Sequence, residues 1–149
     1  MQVITPTPTD LVDDEEHTFI DVITIDMFNV VIPLFVDAGE MLTALDQVCV
    51  DVDTTEAEFE FDGMACWYKD EEGAPVFAVY LSPGSTGDVW VHEASHLVDM
   101  IFETMGIFPG YESTETRAYM LQHIFRSMAG SMTEFRQKQL ELETKNIVH

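Results

Sequence analysis

The chain has 149 residues, of which 46% are apolar and 11% aromatic, so it can fill the hydrophobic core of one domain and does not have the composition of a disordered chain. Its 28 acidic and six basic residues give a formal net charge of −22, which argues against binding to nucleic acid or to an anionic membrane surface. It has no apolar run that could span a bilayer and nothing resembling a signal peptide, and we therefore expect a soluble cytoplasmic protein.

The first part of the chain is predicted to contain a tail and then a strand. Residues 1–16 combine a Thr-Pro-rich start with an acidic stretch and predict a flexible tail, which leaves residues 17–149 as a single domain. Residues 17–36 are rich in β-branched and aromatic side chains, and Phe28–Val36 is the best strand candidate among them. Pro33 indicates that this strand is an edge strand or carries a bulge.

A helix and a β-hairpin are predicted next. Apolar residues at helical spacing predict a helix over Ala38–Cys49. The hairpin is predicted by alternating apolar residues over Ala57–Lys69, a turn signal at Asp70–Gly73 and the apolar run Pro75–Leu81. Pro75–Leu81 is our candidate for an edge strand of the sheet, along which an extended peptide can add.

Two helices are predicted to complete the fold. Asp88 is expected to cap a helix over Val89–Met105 that ends at Gly106, and a long helix with a broad apolar stripe begins near Ser113. The order strand, helix, hairpin, helix, helix predicts an α+β domain with a small mixed sheet.

The helix over Val89–Met105 carries the sequence His92-Glu93-Ala94-Ser95-His96, which has the pattern HExxH. Residues four apart in a helix lie about 40° apart around its axis, so His92 and His96 can offer their Nε2 atoms to one metal ion. Zinc suits this ligand type, and Glu93 is placed to take a proton from water that the metal activates. The pattern predicts a zinc-dependent hydrolase with Glu93 as general base.

The surroundings of the motif favour the metal interpretation. Its polar side chains form one stripe, and its apolar side chains form a separate face. The polar stripe consists of His92, His96, Asp99 and Glu103, and the apolar face of Trp90, Leu97, Ile101 and Met105. Polar groups on a mostly apolar helix need partners, and a metal supplies one.

A third ligand is suggested by Glu115, with 18 residues between it and His96. This arrangement resembles the gluzincin metallopeptidases, the group of thermolysin, in which a glutamate on a following helix completes the zinc site. Glu112 is the rival third ligand. Where thermolysin-like enzymes have an aspartate that orients a histidine, this chain has Tyr119; Asp99 is our candidate for that orienting role.

Tyr119, or else Tyr111, is a candidate donor to the oxyanion of the tetrahedral intermediate, from its residue type alone. The motifs His92–His96 and Glu115–Tyr119 also resemble those of small metallopeptidase-like proteins encoded by tailed phages. That resemblance covers most of the chain. It implies a minimal zincin fold, a peptide or protein substrate, and a place in the host cytoplasm or the virion.

Other interpretations of the same residues stay open. The two histidines also fit an amphipathic helix on which they meet carboxylates or solvent, and Glu115 also fits a solvated helix face. The function could then be that of a virion or assembly component, with a structural or vestigial metal site and other virion proteins as partners. The acidic surface could instead make the chain a decoy that occupies the DNA-binding groove of a host protein.

The remaining residues of metal-binding type are expected to have other roles. His17, His123 and His149 are predicted to be surface histidines. Cys49 and Cys66 lack the spacing of a metal or redox pair, and we expect reduced, mostly buried thiols.

Overall fold

The computed structural model describes residues 19–58, 60–108 and 110–147, and the predicted tail over residues 1–16 lies outside them. Seven helices and strands are present in these ranges. The strands are β1 (Phe19–Ile25), β2 (Val30–Phe35), β3 (Gly63–Lys69) and β4 (Pro75–Leu81), and the helices are α1 (Ala38–Val48), α2 (Gly87–Met105) and α3 (Thr114–Ile147). Short 3₁₀ turns occupy Asp26–Phe28, Thr54–Glu58 and Tyr111–Ser113. The predicted α+β class is confirmed.

The four strands form one mixed sheet in the order β1-β2-β4-β3. The pairs β1–β2 and β3–β4 are antiparallel, and β2–β4 is parallel. In this described sheet β3 is an edge strand and β4 lies inside. The assignment of Pro75–Leu81 as the strand open to a peptide is therefore wrong, because β2 and β3 cover both of its sides.

Residues 17–36 contain two strands where the sequence had suggested one candidate. The turn between β1 and β2 is a 3₁₀ turn that ends at Asn29, whose φ of 53° lies in the left-handed region that asparagine tolerates. Pro33 stands within β2, an interior strand. It is accommodated because the paired residues of β2 and β4 begin at Leu34, one residue further on.

Apolar residues on the two faces of the sheet build two clusters. Along β4, Phe77, Val79 and Leu81 belong to the cluster shared with α2 and α3, whereas Val76 and Ala78 belong to the cluster beneath α1. The protein thus has three layers, with α1 on one face of the sheet and α2 and α3 on the other.

Helix α2 is fixed at both ends. Its N-cap is Thr86 and not Asp88 as predicted; Asp88 lies in the first turn and accepts a hydrogen bond from the Thr86 hydroxyl. Trp90 is buried and its Nε1 donates to Ser85 Oγ at 2.9 Å. The guanidinium of Arg136 on α3 lies 5.3 Å from the Trp90 ring centroid. The helix ends at Gly106, as predicted, and this glycine adopts the left-handed conformation.

Helix α3 packs along α2 through one narrow stripe. The buried members of the stripe recur every four residues: Met120, Ile124, Met128 and Met132. Arg117, one turn before Met120, forms an ion pair with Asp99 of α2. In the described ranges, no helix has the length and apolar character needed to cross a membrane.

Candidate metal centre

The two histidines of HExxH lie together on the exposed side of α2. His92 Nε2 and His96 Nε2 are 3.1 Å apart. The ring centroids are 4.6 Å apart, and the ring planes are inclined by 82°. The sequence prediction that the motif lies on a helix and directs both imidazoles to one point agrees with this geometry.

The separation of the two Nε2 atoms can be compared with that of zinc ligands. Zn–N bonds of about 2.0–2.1 Å at tetrahedral angles hold two nitrogens about 3.3 Å apart. The observed 3.1 Å is close to that value, so these two side chains fit a shared divalent metal with little movement. Without metal, the same distance suits a hydrogen bond between two neutral imidazoles, one donating and the other accepting.

Glu93 projects from α2 towards the edge strand β3. Its side chain is largely buried, with the residue 7% exposed. Oε2 accepts a hydrogen bond of 2.7 Å from the backbone N–H of Ala65. Among the described residues, Oε1 has no hydrogen-bond partner, and it is not one of the fully buried unpartnered oxygens. One carboxylate oxygen therefore holds the strand while the other is open to the cleft.

Gly63 permits this close approach of strand and helix. A Cβ atom built there would lie 2.8 Å from Glu93 Cγ, 2.9 Å from Val89 Cγ1 and 3.3 Å from the carbonyl oxygen of Tyr80. Side chains do not tolerate carbon–carbon distances below 3.0 Å without displacement. The absence of a side chain at position 63 thus sets the distance between β3 and α2.

The histidine pair and Glu93 border a single cleft between α2, the start of β3 and the 3₁₀ turn Thr54–Glu58. Its volume is about 430 Å³. The residues that line it are Glu56, Phe61, Gly63, Met64, Ala65, His92, Glu93 and His96. Three of the predicted site residues, His92, Glu93 and His96, are therefore brought together.

The predicted third ligand is not brought to this pair. Among the described residues, no group of three His, Cys, Asp or Glu side chains is arranged to hold a metal. Glu115 is exposed in the first turn of α3. It lies about 140° around the helix from Met120, whose side chain packs in the core, because each residue turns the helix by 100°. Glu112, the rival, is also exposed and lines a different cavity.

The structure also places the other predicted site residues away from the histidine pair. The carboxylate of Asp99 is engaged by Arg117, and in the described part of the chain it makes no hydrogen bond to either histidine. Tyr119 is 68% exposed and lines a cavity between α3 and the turn Asp26–Phe28. Tyr111 is 98% exposed. The structure does not place either tyrosine in the cleft where a reacting carbonyl would lie.

Cys66 lies near the cleft, and its thiol is expected to be unreactive. Burial, followed by the nearby carboxylate of Glu56 and by Cys49 and Glu93, raises the pKa of the Cys66 thiol to about 12. Burial and Asp70 raise the pKa of the Cys49 thiol to about 11. Both are free, buried thiols, as expected from the sequence. Neutral at physiological pH, they are poor nucleophiles and poor metal ligands.

The sequence analysis did not identify the cleft residues that come from β3 and from the turn before it. Gly63, Met64 and Ala65 lie in the predicted hairpin strand Ala57–Lys69, and Glu56 lies just before it, where no element was predicted. A glycine that interrupts an alternating strand pattern is a signal of close backbone approach, so Gly63 could have been noticed. Nothing in the sequence connects Glu56 to the HExxH helix.

Comparison of the chain with protein-family models, with curated proteins and with solved structures found no match. The site is therefore interpreted from its own geometry.

Proposed function

We propose that His92 and His96 bind a zinc ion and that the protein is a zinc-dependent hydrolase, most simply a peptidase. The observation that supports this most strongly is the 3.1 Å separation of the two Nε2 atoms beside the Glu93 carboxylate in one cleft. HExxH metallopeptidases use the two imidazoles of the motif as metal ligands and its carboxylate as general base. When bound, zinc supplies Lewis-acid chemistry: it polarises a carbonyl oxygen and makes water more acidic.

Glu93 is the general base in this proposal. Its Oε1 is open to the cleft, whereas Oε2 is fixed by Ala65, so the carboxylate is held in one orientation without losing its free oxygen. A carboxylate that is already held through one of its oxygens loses little rotational freedom when substrate binds. From this position Glu93 takes a proton from the attacking water and passes it to the leaving amine.

Zinc ligands beyond the two histidines are needed. Catalytic zinc sites have three protein ligands in most enzymes, and the described residues supply two in the observed arrangement. Glu115 remains the proposed third ligand, and it would bind zinc only in an arrangement of α3 that differs from the observed one.

The edge strand β3 offers a place for a peptide backbone. The Ala65 N–H and the Lys69 carbonyl both point away from β4, the first to Glu93 and the second to the Val50 N–H at 2.9 Å. Trp67 lies two residues from each and shares their orientation. Its N–H and carbonyl are therefore directed away from β4, between the contacts to Glu93 and Val50, and a short extended peptide segment would pair there.

The proposal is tested by hydrolysis of a fluorescence-quenched peptide library by the full chain loaded with zinc. We expect cleavage that a chelator abolishes and that added zinc restores. His92→Ala should lose the activity. His123→Ala should keep it, because His123 lies on α3 and contacts the Thr24 carbonyl at 2.7 Å. Cleavage that survives in chelator, or equally in His92→Ala, would show that another site or a contaminant is responsible.

A second candidate follows from the hydrogen bond between Glu93 and Ala65. This bond fastens β3 to α2, so the motif could serve the fold alone, with any metal in a structural role, as in a virion or assembly component. It predicts that zinc raises the melting temperature while no library peptide is cleaved.

A further inference from the structure

The cleft of the histidine pair continues into a second cavity. This cavity has a volume of about 290 Å³. The two share Phe61, Gly63, His92 and Glu93. Glu56 and His96 border the first cavity alone, and Asp62 and Asp88 border the second alone. The two cavities thus meet at the shared residues and form one groove, with Glu56 in the first part and Asp62 and Asp88 in the second.

The groove is lined by four carboxylates and, among the described residues, by no Lys or Arg side chain. Its four carboxylates are those of Glu56, Asp62, Asp88 and Glu93. All six Lys and Arg residues fall within the described ranges, and none of them lines either cavity. A zinc ion on the two histidines would offset two of these four negative charges, so the groove of this chain of net charge −22 stays negative and favours a cationic ligand.

Glu56 is the carboxylate best placed to contact a ligand side chain. It is half-buried, and in the described part of the chain its carboxylate has neither a hydrogen bond nor an ion pair. The 3₁₀ turn that carries it begins after Asp53, whose Oδ1 accepts a hydrogen bond of 3.1 Å from the Thr55 N–H. A partly desolvated carboxylate binds a cation more strongly than a surface carboxylate does.

We propose that the groove selects a cationic peptide segment and that Glu56 binds a Lys or Arg side chain of the substrate. This inference rests on the peptidase function proposed above and adds its substrate class. The peptide backbone lies along β3, and a side chain directed towards the turn Thr54–Glu58 meets Glu56. Acidic peptides are repelled by the same groove.

The test compares peptides that differ in one side chain. A quenched alanine-based peptide carries either lysine or norleucine at one position, and the position is moved along the peptide. At 150 mM NaCl, which screens the long-range field, we expect one position at which lysine raises kcat/KM at least about tenfold. Glu56→Gln should remove this preference, so that its kcat/KM values for the lysine and norleucine peptides agree within about twofold.

The matched control is Glu72→Gln. Glu72 is an exposed residue of the β3–β4 turn, at the far end of β3 from Gly63, and its substitution removes the same charge. We expect the lysine preference to be unchanged in Glu72→Gln. An equal loss in both variants would mean that net charge alone selects the peptide, and the assignment of Glu56 would be overturned.

A measurement of peptide binding tests this inference independently of the proposed hydrolysis. The same peptides, labelled with a fluorophore, are titrated with a Glu93→Gln chain by fluorescence polarisation. A lysine preference that disappears in the double variant Glu93→Gln, Glu56→Gln supports the inference even if no peptide is ever cleaved. Equal affinity for lysine and norleucine peptides, or no binding of either at millimolar concentration, overturns it, whether or not the wild type cleaves peptides.

Discussion

Replacing Glu93 with glutamine is expected to lower peptide hydrolysis by at least about 100-fold while the fold and the zinc content stay as in the wild type. Glutamine is no base, so proton transfer is lost. Its side-chain carbonyl can still accept the hydrogen bond from the Ala65 N–H, which Glu93 Oε2 accepts at 2.7 Å. The measurement is kcat/KM on a cleaved library peptide, beside the urea midpoint of unfolding.

Glu93→Leu separates the two roles of the side chain. Leucine cannot accept the Ala65 hydrogen bond, so a part-buried donor loses its partner at a cost of about 1 kcal/mol. Glu103→Gln, an exposed change on the same helix, is the control and should alter neither quantity. Wild-type hydrolysis in Glu93→Gln would exclude Glu93 as the base. Equal stability of Glu93→Leu and wild type would exclude its role in holding β3.

Adding one methyl group at Gly63 is expected to destabilise the protein by about 1–3 kcal/mol. The new Cβ would lie 2.8 Å from Glu93 Cγ and 2.9 Å from Val89 Cγ1, so these side chains must shift or β3 must move away from α2. That movement stretches the hydrogen bond between Ala65 and Glu93 and widens the cleft. We therefore expect Gly63→Ala to lower both the unfolding free energy, measured in urea, and the rate of hydrolysis.

A double-mutant cycle with Val89→Ala tests the steric cause. Removing Val89 Cγ1 relieves one of the two close contacts, so Gly63→Ala should cost less in the Val89→Ala background than alone. Gly130→Ala is the control, because a Cβ there meets nothing within 4 Å. In the middle of α3 that change should stabilise by about 0.5–1 kcal/mol. Additive effects at positions 63 and 89 would contradict the steric explanation.

The helix that carries the motif could be predicted from sequence because its signals are local. The apolar periodicity, the breakers before Gly87 and the glycine at position 106 act within a few residues of one another. The interior position of β4 was also available in the sequence. Its run PVFAVYL is apolar on both faces, which is typical of a strand covered on both sides. Interpreting it as an edge strand ignored that pattern.

Whether Glu115 can reach the histidine pair depends on how α3 is rotated about its axis. That rotation is set by packing of Met120, Ile124 and Met128 against α2. The apolar stripe of α3 already put Glu115 on the opposite side, and the spacing from His96 outweighed that evidence. The pairing of Glu93 with Ala65, 28 positions apart, and the position of Glu56 depend likewise on tertiary contacts.

The central claim, that His92 and His96 bind one metal ion, is tested most directly by zinc titration calorimetry on the purified full chain, with excess magnesium present to occupy weak carboxylate sites on the acidic surface. We predict about one zinc per wild-type chain, lost in His96→Ala and retained in His123→Ala. Wild-type protein that binds no zinc, or His96→Ala that binds it as tightly, would contradict the claim.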